Sequence, residues 1–396
     1  MRSYCGARVF STLAHSILGA TLGWHVYDLT LSSFALGTLG LVNFLPTIPV
    51  TLLGGAVADN RDRRGIVAVA QIAACLAAAG LGGATLGGAA TLALLLGVAL
   101  ALAVARSFES PANMALLPSL VPREIFPSAV VVSATARNLG FVSGPMAMGL
   151  IVDRAGLSAA YAVAAGCFAL SVLLLARLRP ARVAPARSPI SLGAIREGIA
   201  FVRSRPVILG SMTLDMFAVI FAGSTALLPI FAREILHVGP LGYGVLAAAL
   251  WIGTSLMTAI LLVRRPPARP GRALFVAVAV FGLATVAFGV SRAFPLSLAA
   301  LVVAGMADEV SMVTRSIIIQ LSTPDALRGR VSSVNMVFIG ASNELGAAES
   351  GFLAALTNAT FSVVFGGLAC LGVLALVAAL VPALRHYRVE SDAEAL

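Results

Sequence analysis

RLRPARVAPARSPISLGAIREGIAFVRSRP, residues 177–206, is the stretch that sorts the chain. It holds seven Arg and four Pro, in a protein where 11% of residues are charged and 59% are hydrophobic. Arginine and proline at that density interrupt apolar helices. On either side the composition reverses, and apolar segments recur with short Gly, Pro and Arg punctuation. Before the stretch they run over 8–28, 33–58, 65–86, 89–111, 127–152 and 157–177. After it they run over 207–232, 241–263, 273–291, 294–320, 331–356 and 360–383. The reading is two blocks of six spans, 1–176 and 207–396, joined by a linker over 177–206 and followed by a short tail. Inside the linker, Leu192, Ile195, Ile199 and Val202 share one helical face, so the piece near 191–203 is expected to be an amphipathic helix at a membrane surface.

A soluble domain carries about 25% charged residues. This chain carries less than half of that share, which excludes an ordinary cytosolic enzyme, a disordered protein and a secreted disulfide scaffold. A spanning helix needs roughly 20 apolar residues, and 396 residues accommodate twelve with short loops. The net charge of +10 comes from 27 basic residues, all Arg, and 17 acidic ones. With the N-terminus placed in the cytoplasm, 21 Arg fall on cytoplasmic segments, Arg8 among them. Three fall outside (Arg154, Arg233 and Arg292) and three within spans (Arg106, Arg137 and Arg315). That bias predicts a multi-pass protein of the bacterial inner membrane with both termini cytoplasmic. It also explains the basic balance without nucleic acid. The four cysteines form no metal-ligand spacing, and neither a phosphate loop nor a nucleophile–base–acid arrangement is present. No enzyme activity, cofactor or metal is expected.

The halves repeat. ALLPSLVPREI ends span four, IIQLSTPDAL ends span ten, and Pro122 and Pro324 stand 202 residues apart. Two six-helix halves of parallel orientation form a known carrier plan, with the substrate near the midplane. The loop after span two reads GGAVADNRDRRGI, placing Asp59 in a ring of Arg61, Arg63 and Arg64. A carboxylate so placed can make charge-assisted hydrogen bonds that lock one conformation; the alternative is that the arginines simply anchor the cytoplasmic side. With Gly55, Asp59, Arg63 and Arg64 in place, this loop resembles the signature of the major facilitator superfamily; Asn60 and Asp62 depart from it. The resemblance implies twelve helices in two pseudo-symmetric bundles, working by alternating access, with Asp59 near Arg328 and Arg330. Gly140, Gly144, Pro145 and Gly149 in span five resemble the antiporter signature of that superfamily, which favours export. WHVYDLT at 24–30, RSFESPANMALLPSLVPRE at 106–124 and TPDALRGRVSSVN at 323–335 are similar to the subgroup of enterobactin exporters and macrolide-efflux-like proteins.

Charges inside spans are the functional clue, because each costs about 2.5–3.5 kcal/mol at a helix centre. Arg106 and Glu109 are three apart in span four, and Asp308 and Arg315 are seven apart in span ten. Each pair could couple proton uptake to movement, or could be a static bridge. Asp215, Glu309 and Glu344 complete the set. His15 reads as a packing residue, and Trp24 and Tyr27 as interfacial aromatics. The expectation is a monomeric, proton-coupled exporter of a small amphipathic compound such as a drug or siderophore. A lipid or lysolipid carrier, or a sensor built on a carrier fold, stays open.

Overall fold

The computed structural model describes residues 2–46, 50, 62–121, 123–178, 192–264, 269–325 and 327–388. Helix α1 covers Arg2–Thr30, α2 Ser33–Phe44, α3 Arg63–Leu86 and α4 Leu92–Leu120. The helical run Phe126–Ala176 breaks at Gly156, whose φ of 83° lies in the left-handed region that favours glycine. The break yields two arms, α5 over 126–155 and α6 over 157–176. After the linker come α7 (Leu192–Ser204), α8 (Pro206–Ala222), α9 (Gly239–Val263), α10 (Pro270–Val290), α11 (Phe294–Leu321), α12 (Arg328–Leu356) and α13 (Ala359–Leu380). Leaving the linker helix α7 aside, these are twelve helical segments in the order expected, and no strand occurs among the described residues. Eight described helices are long and apolar enough to cross a membrane, one of them being the broken run.

Local chemistry sets the helix ends. Thr91 caps α4 by accepting from the Leu94 amide at 3.3 Å, and Asn358 caps α13 by accepting from the Phe361 amide at 2.8 Å. Pro206 and Pro270 open α8 and α10, where a missing N–H costs nothing. Two of the boundaries that differ from the sequence reading bear on the site. Helix α1 begins at Arg2, six residues before the expected start, because Tyr4 and Ala7 continue the buried stripe of Ser11, Ala14 and Leu18. Helix α4 runs to Leu120 with Pro111 and Pro118 inside it, so Glu109 lies well within the helix and not near its end.

The chain falls into two compact units: Met1–Ile190 with Ala226–Ala248, and Ser191–Thr225 with Ala249–Leu396. Residues 226–248, which lie in the second block by sequence, therefore pack with the first. They include a π-helical turn over Phe231–Ile235 and the start of α9. In the second unit the linker helix α7 packs on protein. Val202 is buried among Ile208, Met212, Ile319, Val331 and Val334, and Arg330 pairs with Glu197 at 2.6 Å. Ile199 is exposed, so only part of the expected apolar face is covered by protein.

Candidate functional site

In the first unit, three helices meet at one carboxylate, and a fourth joins through a glutamine. Glu109 of α4 is 4% exposed. Its Oε1 accepts from Gln71 Nε2 of α3 at 2.9 Å, from Asn113 Nδ2 at 3.1 Å and from Ser11 Oγ of α1 at 3.4 Å. Its Oε2 lies 3.3 Å from His15 Nε2. The network continues outward: Gln71 also donates to Ser11 Oγ at 2.9 Å, and Ser171 Oγ of α6 lies 2.8 Å from Gln71 Oε1. A buried carboxylate surrounded by donors in this way is fully satisfied.

The histidine adds a proton count. His15 Nδ1 is 2.9 Å from the Ser11 carbonyl, which can only accept. Its Nε2 faces Glu109, which as a carboxylate also only accepts. Both contacts become hydrogen bonds only if the pair holds a proton, as imidazolium with carboxylate or as imidazole with carboxylic acid. His15 is thus the partner that Glu109 uses, where the sequence suggested a packing residue. Arg106, the expected partner, is exposed on another face of α4 and does not reach the carboxylate.

In the second unit, Asp215 occupies a buried stripe of α8 that also carries Ile208, Ser211, Met212, Ala218 and Ala222. It forms an ion pair with Arg315 of α11, and both residues are buried. Arg315 therefore belongs to Asp215 and not to Asp308, its expected mate. Neighbouring Glu309 accepts from Thr258 Oγ1 of α9 at 2.9 Å. Asp308 is half-buried and makes no hydrogen bond or ion pair among the described residues. Ser311 Oγ and Arg315 Nε, further along the same face, are buried and also lack a hydrogen-bond partner. Hence α11 carries a polar strip whose hydrogen-bonding capacity the described residues do not fill. Glu344 is half-buried and partnered, while Glu349 accepts from its neighbour Ser350 at 3.4 Å.

The glycine motif of α5 makes backbone contacts. A Cβ at Gly140 would lie 2.9 Å from Thr12 of α1, and one at Gly144 would overlap Ser16. A Cβ at Gly149 would sit 2.6 Å from the Pro240 carbonyl, and the Pro145 carbonyl abuts Gly244 of α9. Small residues at this spacing let helices touch backbone to backbone. Residues 231–243 also hold the far end of α1. Tyr27 donates to Glu234, Asp28 pairs with Arg233, and Trp24 lies 5.4 Å from the Tyr243 ring. Trp24 and Tyr27 are 5% and 2% exposed, so they are packed within the unit and do not act as interfacial anchors.

Of the expected lock, Gly55 and Asp59 lie outside the described residues. Arg64 donates to the Ala176 and Leu178 carbonyls at 2.8 and 2.5 Å, closing the end of α6. Arg63 is half-buried and partnered, and Arg328 pairs with Asp325 at 2.8 Å.

The chain is 24% identical to the enterobactin exporter of Escherichia coli K12 over 383 residues, covering 96% of this chain and 92% of that protein. It is 25% identical to the enterobactin exporter of Citrobacter koseri over 385 residues, with the same two coverages. Its fold matches a nucleoside transporter with a TM-score of 0.74 at 15% identity, over 96% of this chain and 99% of that one. It matches a POT family transporter, solved with a thioalcohol-conjugated peptide, with a TM-score of 0.75 at 14% identity over 96% of both chains. The family model described as transmembrane secretion effector spans residues 2–395. By that match the chain belongs to the transmembrane secretion effector family of the major facilitator type, and it is a multi-pass membrane transporter and not an enzyme.

Proposed function

We propose that the chain is a proton-coupled exporter of small amphipathic compounds, drug-like or siderophore-like, acting by alternating access in the bacterial inner membrane with both termini cytoplasmic. The observation that carries the coupling is the His15–Glu109 contact, which, with the His15 contact to the Ser11 carbonyl, needs one proton more than a neutral imidazole and a carboxylate hold. The donors on Oε1 come from neutral side chains, so they stay in place whether the proton rests on the ring or leaves with it. A carrier that trades cargo for protons needs such a group inside the membrane. Asp308 is the second acid of the scheme. It meets no partner among the described residues and stands beside Ser311 on the polar strip of α11. Asp215 and Arg315 hold each other and serve as a fixed strut. The glycine motif of α5 supports the export direction through its resemblance to an antiporter signature.

The test is proton flux in proteoliposomes with a panel of dyes, drugs and siderophores. Wild type is expected to move protons inward as cargo moves outward. Glu109→Gln and Asp308→Asn are expected to insert normally, to keep downhill cargo movement and to lose uphill export. Full uphill export with unchanged pH dependence in Glu109→Gln removes the pair from coupling. If both variants keep it, the antiport mechanism is wrong.

A further inference from the structure

The second unit holds a cavity that the coupling scheme does not use. It measures about 630 Å³ and lies where α8 begins and α11 ends. Arg205, Ser322, Arg328 and Tyr387 supply polar groups to its lining, and Val207 and Leu321 supply apolar ones. Both helices belong to membrane-crossing runs, Pro206–Ile235 and Phe294–Leu321, so these ends mark the level where hydrocarbon gives way to headgroups. Leu321 is 55% exposed, which leaves the apolar side of the cavity uncovered at that level.

The polar side chains of the lining are rich in donors. The Arg205 guanidinium lies 5.6 Å from the centre of the Phe201 ring, a cation–π contact that holds it in place. It makes no hydrogen bond or ion pair among the described residues. Ser322 Oγ donates to the Tyr387 hydroxyl at 3.1 Å, so that hydroxyl keeps its own proton for another acceptor. None accepts it among the described residues. Arg328 pairs with Asp325 at 2.8 Å, and a guanidinium has five donors, so most of them stay open. Asp325 is the one acid of the lining among the described residues; its side chain is 87% accessible, and ion pairs so exposed are weak. Two guanidiniums against one carboxylate leave the cavity with a surplus of positive charge.

We propose that this cavity binds the phosphate headgroup of an anionic phospholipid, with an acyl chain lying along Leu321. The reading needs the membrane embedding of the chain and not the exporter scheme. The unesterified oxygens of a phosphodiester only accept, and two guanidiniums and a phenol offer N–H and O–H groups to meet them. The surplus positive charge favours a headgroup of net negative charge over one that carries its own ammonium. A soluble phosphate ester would meet the same donors but would leave Leu321 uncovered. A lipid held here ties the start of α8 to the end of α11 and to the segment after α13.

The experiment counts lipids on the full chain by native mass spectrometry from detergent micelles, with no cargo and no gradient, so a failure of the transport reading leaves it unaffected. The probes are dioleoylphosphatidylglycerol, dioleoylphosphatidylcholine and glycerol 1-phosphate, the last carrying the phosphate without the chains. Wild type is expected to bind the first phosphatidylglycerol about fivefold more tightly than phosphatidylcholine, the weight of one arginine beside an anionic lipid. Equimolar glycerol 1-phosphate is expected not to displace it. Arg205→Gln is expected to erase most of the preference. Tyr387→Phe, which keeps the ring and loses the donor, is expected to weaken phosphatidylglycerol severalfold. Arg264→Gln, at an exposed arginine just beyond α9 and outside the cavity, is expected to leave it unchanged. The proposal is overturned by wild type that binds both lipids equally, or by an equal loss in Arg205→Gln and Arg264→Gln, which would mean diffuse attraction. Displacement by glycerol 1-phosphate also overturns it and gives the cavity to a soluble phosphate ester.

Discussion

Glu109 and Asp215 are both carboxylates inside membrane-spanning helices, and both are buried, yet they are held in different ways. Glu109 is surrounded by an amide from α3, an amide one turn on in α4, a hydroxyl from α1 and an imidazole. Asp215 faces a guanidinium. Neutral donors tolerate a change of proton because no partner is left charged and alone. An arginine never gives up its proton in a protein, so an acid paired with it is committed to its charge. The first unit thus carries a centre suited to exchange and the second a centre suited to support. Asp308 of α11, without a partner among the described residues, gives the second unit an acid that is free of this commitment.

The widest gap between the two centres should appear in stability. Asp215→Asn leaves Arg315 buried without an anion and is expected to cost about 3–5 kcal/mol. Adding Arg315→Gln should recover most of that loss; thermal melting in detergent would show it, and a double variant no better than the single would mean that the pair is not the strut. Glu109→Gln should cost about 1–3 kcal/mol, since an amide oxygen can still accept from Gln71 and Asn113. A double-mutant cycle of Glu109→Gln with His15→Phe is expected to give a coupling of about 0.5–3 kcal/mol, and additivity would separate the histidine from the acid. Gly144→Ala, forcing α1 from α5, should cost about 1–3 kcal/mol by overpacking, whereas Gly97→Ala, with open space at its Cβ position, should not destabilise. The smallest effect is expected at the exposed Asp28–Arg233 pair, whose side chains are 41% and 38% accessible. There Arg233→Gln should change the melting free energy by less than about 1 kcal/mol; a larger loss would make that end of α1 a third centre.

The sequence exposed each acid but not its partner. Hydropathy found the spans because lipid demands long apolar helices whatever their neighbours, but it stopped span four at residue 111 while the helix runs to Leu120. Arg106 and Glu109 are three apart and were expected to interact as same-face neighbours. Only Glu109 turns toward α1; Arg106 stays on the exposed side of α4. Asp308 and Arg315 do share a face of α11, but Asp215 arrives from α8, 100 residues away in sequence, and takes the guanidinium. His15 and Gln71 stood in plain sight as polar residues inside apolar runs. What would have marked them is the buried stripe of Tyr4, Ala7, Ser11, Ala14 and Leu18 in α1, which places Ser11, and His15 one turn on, deep in the helix.

Composition and hydrophobic period alone determined that this chain is an all-helical membrane protein with many apolar spans, because a bilayer admits few alternatives to a helix whose backbone bonds are internal. The glycines of span five likewise announced close helix contact before any contact was visible. Tertiary structure decided which charge answers which: His15 for Glu109, Arg315 for Asp215, and none for Asp308 among the described residues. It also packed residues 226–248 with the first unit. The reason is physical. Helical spacing fixes the face on which a side chain stands, but a pair across helices depends on rotation, depth and distance, which only packing supplies.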